Sequence, residues 1–140
     1  VYCLVMTLSA DQKIKVGSKY RDFKKGYYCY VGSSMTNLQK RISRHVSRKK
    51  KNHWHIDYFS KHAEIFYIGV IPTEEKIECV LSHSVSILSS GHVNGFGCTD
   101  CKCDSHLYFF RKDPSKIRRF RLLFKDLYRI EQPSQERQQL

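Results

Sequence analysis

Residues 64–71, Glu-Ile-Phe-Tyr-Ile-Gly-Val-Ile, constrain the fold most. The run is too apolar and too short for anything but a central strand. Residues 2–8 supply a second strand rich in β-favouring side chains. After a turn over Ser9 to Gln12, Lys13-Ile14-Lys15-Val16-Gly17 alternates polar and apolar, as a half-buried strand does. Tyr27 to Val31 is the next strand, entered through Gly26 and left through Gly32-Ser33-Ser34, and Leu107 to Phe110 is the last. Helical patterns lie between. Thr36-x-x-Gln39 reads as a capping box opening a helix near Asn37, with Leu38, Ile42, Val46 and Lys49 as its inner stripe. A short helical stretch follows around His55 to His62. Pro72-Thr73 opens a third helix, with Ile77, Leu81, Ser84 or Val85, and Leu88 inward and Ser89-Ser90-Gly91 closing it. Asp113 caps a final helix with Pro114 first and Ile117, Phe120, Phe124 and Leu127 as its stripe. The pattern predicts one α+β domain: a small central mixed or antiparallel sheet flanked by helices. With 140 residues the chain can build one core but not two.

The formal net charge is +12, and the excess is clustered. Lys40, Arg41, Arg44, Arg48, Lys49, Lys50 and Lys51 fall within twelve residues. Lys116, Arg118, Arg119, Arg121, Lys125 and Arg129 form a second cluster opposed only by Asp126. Basic density of this kind points to a polyanion, of which nucleic acid is the commonest. A solvated helix face and an anionic membrane surface are the bland alternatives. No apolar run approaches the length that spans a bilayer. The N-terminus carries no charged-then-apolar signal pattern, so the expectation is a cytoplasmic protein. Oligomeric state leaves no trace in the sequence.

Arg41 and His45 are four residues apart, on one face of the helix that follows Tyr30-Val31-Gly32. A guanidinium is a fixed charged fork and an imidazole can move a proton, so the pair suits a phosphate held above a glycine turn. An ordinary amphipathic basic helix has the same spacing. Six cysteines in a cytoplasmic chain argue against a disulfide framework. Cys3 and Cys29 sit in strand text and read as small buried residues.

The order of these elements resembles the GIY-YIG nuclease superfamily. Tyr2 falls on the first strand, Tyr30-Val31-Gly32 ends another, Arg41 and His45 follow, and Glu78 comes on a later helix. The resemblance is closest to an archaeal and bacterial branch carrying two longer signatures. One is His53-Trp54-His55-Ile56-Asp57. The other runs from Gly95-Phe96-Gly97 through Asp100-Cys101-Lys102-Cys103 to Ser105-His106-Leu107. Twenty-seven residues separate Tyr2 from Tyr30, so an inserted strand or hairpin must fill a link that is usually short. The resemblance spans roughly residues 1–110. It leaves 111–131 as a basic C-terminal helix on the same domain and 132–140 as a polar tail.

It implies a divalent-metal-dependent endonuclease that hydrolyses phosphodiester bonds in DNA or another nucleic acid. Glu78 would hold Mg²⁺ or Mn²⁺, and Arg41 would neutralise charge on the phosphoryl oxygens. Tyr30 or Tyr2, helped by His45, would activate water. A phenol ordinarily ionises near pH 10, so that last role expects a cationic neighbour to lower its pKa. His53, His55 and Asp57 alternate, which in an extended segment places all three on one face as further site candidates; Asn94 is another. Lys40, Arg44, Arg48, Lys49, Lys50, Lys51, Arg118, Arg119 and Arg121 are the expected phosphate-tracking residues. Cys101, Cys103 and His106, joined by Cys98 or by Cys79 beside Glu78, have the donor types for zinc, although a compact hydrogen-bonded turn would use the same residues. The alternative function is a non-catalytic nucleic-acid-binding or zinc-stabilised interaction module with the same fold.

Overall fold

A computed structural model describes residues 1–34, 37–47, 51–52, 54–97 and 103–130. In chain order the elements are β1 (Tyr2–Leu8), β2 (Gln12–Val16), β3 (Lys19–Phe23), β4 (Gly26–Gly32), α1 (Leu38–Val46), α2 (His55–Ser60), β5 (Glu64–Val70), α3 (Glu78–Leu88), β6 (Gly91–His92), β7 (Leu107–Phe110), α4 (Arg118–Arg121) and β8 (Asp126–Arg129). Six strands form one sheet in the order β6-β7-β4-β1-β5-β8, with every neighbouring pair antiparallel. The apolar 64–71 run is the strand beside the centre, and β1 lies between it and β4. β2 and β3 form the separate hairpin that fills the link between the two tyrosine strands.

Alternation along β1 buries a cluster on each sheet face, so the single core expected from the chain length is divided in two by the sheet. Tyr2, Leu4, Met6 and Leu8 face a layer made by α1, α2 and the β2–β3 hairpin, with Ile56, Phe59 and Phe96 fully buried there. Cys3 and Val5 face the other way, onto Leu81 and Val85 of α3 and onto Phe120 and Phe124. Cys3 and Cys29 are both fully buried. α3 begins at Glu78, several residues after the Pro72-Thr73 start expected for it, and buries Leu81, Ser82 and Val85.

The C-terminal segment differs from the long helix expected there. Asp113 does cap a turn with Pro114 first, its carboxylate accepting the Ser115 N–H at 2.8 Å. The turn is a short 3₁₀ helix, followed by the four-residue α4 and then by β8. A long helix would leave the outer edge of β5 unpaired. The chain instead turns back, and β8 takes that edge with Tyr67 opposite Arg129 and Val70 opposite Asp126. Phe124 fits because Gly69 has no side chain: a Cβ there would stand 2.6 Å from the Phe124 ring. The 132–140 tail lies outside the described residues. No helix among the described residues is long and apolar enough to cross a membrane.

Candidate active site

The N-terminal end of β1 and the C-terminal end of β4 meet with Tyr2 opposite Gly32. The Tyr2 ring covers that glycine so closely that a Cβ at position 32 would lie 2.6 Å from both Cζ and the hydroxyl oxygen. The Tyr-Val-Gly sequence ends in glycine because a phenol occupies the space. Ser33 and Ser34 lead into α1, whose cap is Asn37; its side-chain oxygen accepts the Lys40 N–H at 2.9 Å. Thr36, expected to cap, lies outside the described residues.

α1 turns Arg41 and His45 to this end of the sheet. His45 is 2 % exposed, and its Nε2 is 2.7 Å from the Tyr2 hydroxyl. Its ring is edge-on to Tyr30, with 6.2 Å between centroids. Arg41 donates to the Ser33 carbonyl at 3.2 Å, and its positive charge acts on the Tyr2 phenol. Tyr30 and Arg41 keep part of their surface in solvent, above the buried Tyr2–His45 pair.

Burial pushes the pKa of both phenols well above the ordinary value. Arg41 pulls Tyr2 downward, but desolvation outweighs it, and the nearby Glu78 carboxylate pushes both phenols further up. The expectation of a lowered phenol pKa is therefore reversed for these side chains. A protonated phenol bonded to an imidazole can pass its proton to the ring nitrogen without standing as a phenolate.

The His53–Asp57 segment works differently from the extended strip expected. α2 begins at His55, so His55 and Asp57 do not share an alternating face. Asp57 is fully buried and takes the Arg44 guanidinium in a two-pronged grip, Nη1–Oδ1 and Nη2–Oδ2 both 2.9 Å. Its Oδ2 also accepts the Trp54 N–H at 2.8 Å. Arg44 further donates to the Lys51 carbonyl at 2.9 Å. Asp57 is thus matched by Arg44 inside the fold, and the Arg44 guanidinium, expected among the phosphate-tracking residues, is engaged there. Trp54, within the same signature, has Arg41 and Arg44 packed on its ring, their Cζ atoms 4.3 and 4.5 Å from its centroid. The signature builds a clamp that fixes the Arg41 guanidinium. The signal was a tryptophan following two helical arginines three residues apart.

His55 Nδ1 accepts the Gly97 N–H at 3.0 Å, and burial together with Arg21 lowers its pKa. It anchors the Gly95-Phe96-Gly97 turn, in which both glycines have φ near +70° and Phe96 is buried against Tyr30, His55 and Phe59. Asn94 is exposed and engages Arg21 through its main-chain carbonyl at 2.7 Å. His53, Arg48, Lys49, Lys50, Cys98 and Cys101 lie outside the described residues. Lys40, Lys51, Arg118 and Arg119 are exposed, while Arg121 is half-buried and donates to the Ser115 carbonyl at 3.2 Å.

Glu78 is the first residue of α3, and α3 packs on the sheet face opposite α1. The two helices therefore do not line one wall. Glu78 is joined to the tyrosine end of the sheet through a chain of neighbours. Its Oε2 is 3.5 Å from Nδ1 of the buried His106. Between His106 and Tyr30 stands Gly97, where a Cβ would lie 3.5 Å from the His106 Cβ and 3.4 Å from the Tyr30 ring. The side chain of Glu78 is 31 % exposed, so one side of the carboxylate is open to solvent.

Beside Glu78, the ligand atoms of Cys79, Cys103 and His106 all lie within 4.8 Å of one another, a donor set able to hold a metal ion. Of the thiols expected there, Cys79 and Cys103 are the two that the described residues bring together.

No curated protein and no solved structure matches the chain. A family model described as a domain of unknown function, DUF123, matches residues 1–129, and the chain belongs to that family.

Proposed function

We propose that this protein is a divalent-metal-dependent endonuclease that hydrolyses phosphodiester bonds in DNA. The observation that carries the reading is the joining of Tyr2, Tyr30, Arg41 and His45 at one end of the sheet, with the Glu78 charge felt by both phenols. Arg41, stiffened by Trp54, offers a guanidinium to the non-bridging phosphate oxygens and to the charge that develops on them. The Tyr2 hydroxyl receives the proton of the attacking water while giving its own to His45 Nε2, so neither phenol has to ionise. Tyr30, with part of its ring exposed, borders the phosphate and orients the water. Glu78 fits a hard cation: it is a half-exposed carboxylate, and Mg²⁺ or Mn²⁺ is commonly held by one or two carboxylates with water completing the shell. Such an ion would supply positive charge to a phosphate oxygen and the leaving 3′ oxygen. The softer Cys79, Cys103 and His106 set suits Zn²⁺ instead.

One observation favours a second reading, a zinc-stabilised nucleic-acid-binding module. α1 and α3 lie on opposite sheet faces, and the direct contact of Glu78 is with His106 rather than with Arg41 or His45. Plasmid nicking separates the two. The nuclease reading expects cleavage with Mg²⁺ or Mn²⁺, none with EDTA, and a loss of at least about 100-fold for Arg41→Ala or His45→Gln. Glu78→Gln should lose cleavage while holding DNA as well or better, since a negative charge near phosphate is gone. Wild-type protein that binds DNA yet cuts no single-stranded, duplex or branched substrate would leave the binding module standing.

A further inference from the structure

We propose that Cys79, Cys103 and His106 bind a zinc ion that fastens the first turn of α3 to the segment before β7 and so sets the direction of the Glu78 carboxylate. The zinc site stands on its own residues; the consequence for Glu78 rests on the nuclease reading.

Ligands of a tetrahedral zinc lie about 2.0–2.3 Å from the metal and hence roughly 3.5 Å from one another. The three donor atoms are already within 4.8 Å, so closing on an ion needs movements of about 1 Å or less from flexible side chains. Two thiolates and an imidazole select zinc over magnesium, whose preference is for oxygen. An entry path exists. Cys79 is exposed and Cys103 half-exposed, and both line a groove of about 470 Å³ shared with His83, His92 and Asp104, with the buried His106 behind them.

The scaffold for the tether is already in place. The Ser82 hydroxyl, one turn along α3 from Cys79, has one proton to give either to the Ser105 carbonyl, 3.2 Å away, or to the Tyr108 hydroxyl beside it. Tyr108 donates to the same Ser105 carbonyl at 2.7 Å. Ser105 in turn bonds the main chain of Leu107 at 2.9 Å through both its donor and acceptor sites. These bonds hold the two ligand-bearing segments side by side whether or not an ion is bound.

His106 links the zinc to Glu78. Its Nδ1 lies 3.5 Å from the Glu78 carboxylate, so in the proposed site Nε2 is the nitrogen that takes the metal. An imidazole ligated through Nε2 keeps its proton on Nδ1 and turns it toward a carboxylate, the usual arrangement behind a zinc-bound histidine. Glu78 is then held by one oxygen, leaving the other for the cation of the nuclease site. Glu78 is thus a positioning partner of the zinc site as well as a candidate ligand of its own.

The test is metal content followed by cobalt substitution. Protein purified through a chelator wash should retain stoichiometric zinc, measured by mass spectrometry of the metal. Replacement by Co²⁺ should give an intense thiolate-to-cobalt charge-transfer band. Cys79→Ser and Cys103→Ser should each lower zinc affinity at least about tenfold and weaken the band. Glu78→Gln should keep the band, because the ligands remain, and weaken zinc about 10-fold through loss of the partner behind His106. Wild-type protein with neither zinc nor a cobalt band overturns the site without reference to any variant's folding. Cysteine variants with wild-type affinity overturn the ligand assignment, and a Glu78→Gln variant with unchanged affinity overturns the link to Glu78. None of these readouts uses DNA, so a protein that holds zinc but cuts nothing refutes the nuclease reading and leaves the zinc site intact.

Discussion

At the scale of single residues, close approach and burial explain what residue type alone does not. Gly32 has no need of a left-handed backbone; it is glycine because the Tyr2 ring lies where a Cβ would be. Gly32→Ala should therefore displace Tyr2 from His45, costing about 1–3 kcal/mol in urea unfolding and lowering any cleavage by more than the stability loss accounts for. Equal loss of stability and activity would mean that Tyr2 only packs. His55 makes a pH-dependent contribution whose sign follows from its lowered pKa. The unfolded imidazole takes up its proton near pH 6.5, the folded one only at lower pH because burial, Arg21 and the Gly97 N–H favour the neutral ring. Over that interval the unfolded state binds more protons, so stability falls as pH drops below about 6.5. His55→Gln should flatten this part of a stability-against-pH curve; an unaltered curve would assign the acid loss to other groups.

At the scale of elements, the short α1 is held by its tertiary partners. A nine-residue helix is marginal in isolation, and here the Arg44–Asp57 grip and the Trp54 ring pin it to α2. Asp57→Asn removes the charge matched to the part-buried Arg44 and should cost about 1–3 kcal/mol, and a double-mutant cycle with Arg44→Met should recover much of that loss. Additive losses would show that the two side chains are not coupled. Strands that depend on neighbouring residues alone are legible in the sequence: the apolar 64–71 run, the alternation of Lys13 to Val16, and the glycines flanking Tyr27 to Val31. The i, i+4 spacing of Arg41 and His45 is legible for the same reason. The stripe Ile117, Phe120, Phe124, Leu127 misleads because its spacing fits a long helix as well as it fits a turn, four helical residues and a strand. What decides is the open edge of β5, which is distant in sequence. Asp57 is likewise opaque, since only the packing of α2 on α1 reveals that its charge is already matched by Arg44. The cysteines offer several ligand pairs, and the fold brings Cys79 to Cys103 from a helix well separated in the chain.

At the scale of the whole molecule, a net charge of +12 makes affinity for a polyanion an electrostatic matter, and the fold sorts which cations remain available for it. Arg44 is committed to Asp57, and Arg121 is tied to Ser115. Arg118 and Arg119 are exposed on α4, and Lys40 is exposed on α1. A nucleic acid that tracks these side chains releases one set of counterions for each phosphate neutralised. The logarithm of its affinity then falls linearly with the logarithm of salt concentration, by about 0.9 per contact on duplex DNA. The double variant Arg118→Ala, Arg119→Ala should reduce that slope by about 1.8 in a fluorescence-anisotropy titration, because both side chains stand in solvent where phosphate can reach them. Arg44→Met is the internal control: it should lower stability while leaving the slope of the folded protein unchanged. If instead the α4 pair leaves the slope untouched and Arg44→Met reduces it, the binding face lies on α1, and Arg44 exchanges its carboxylate for a phosphate on binding.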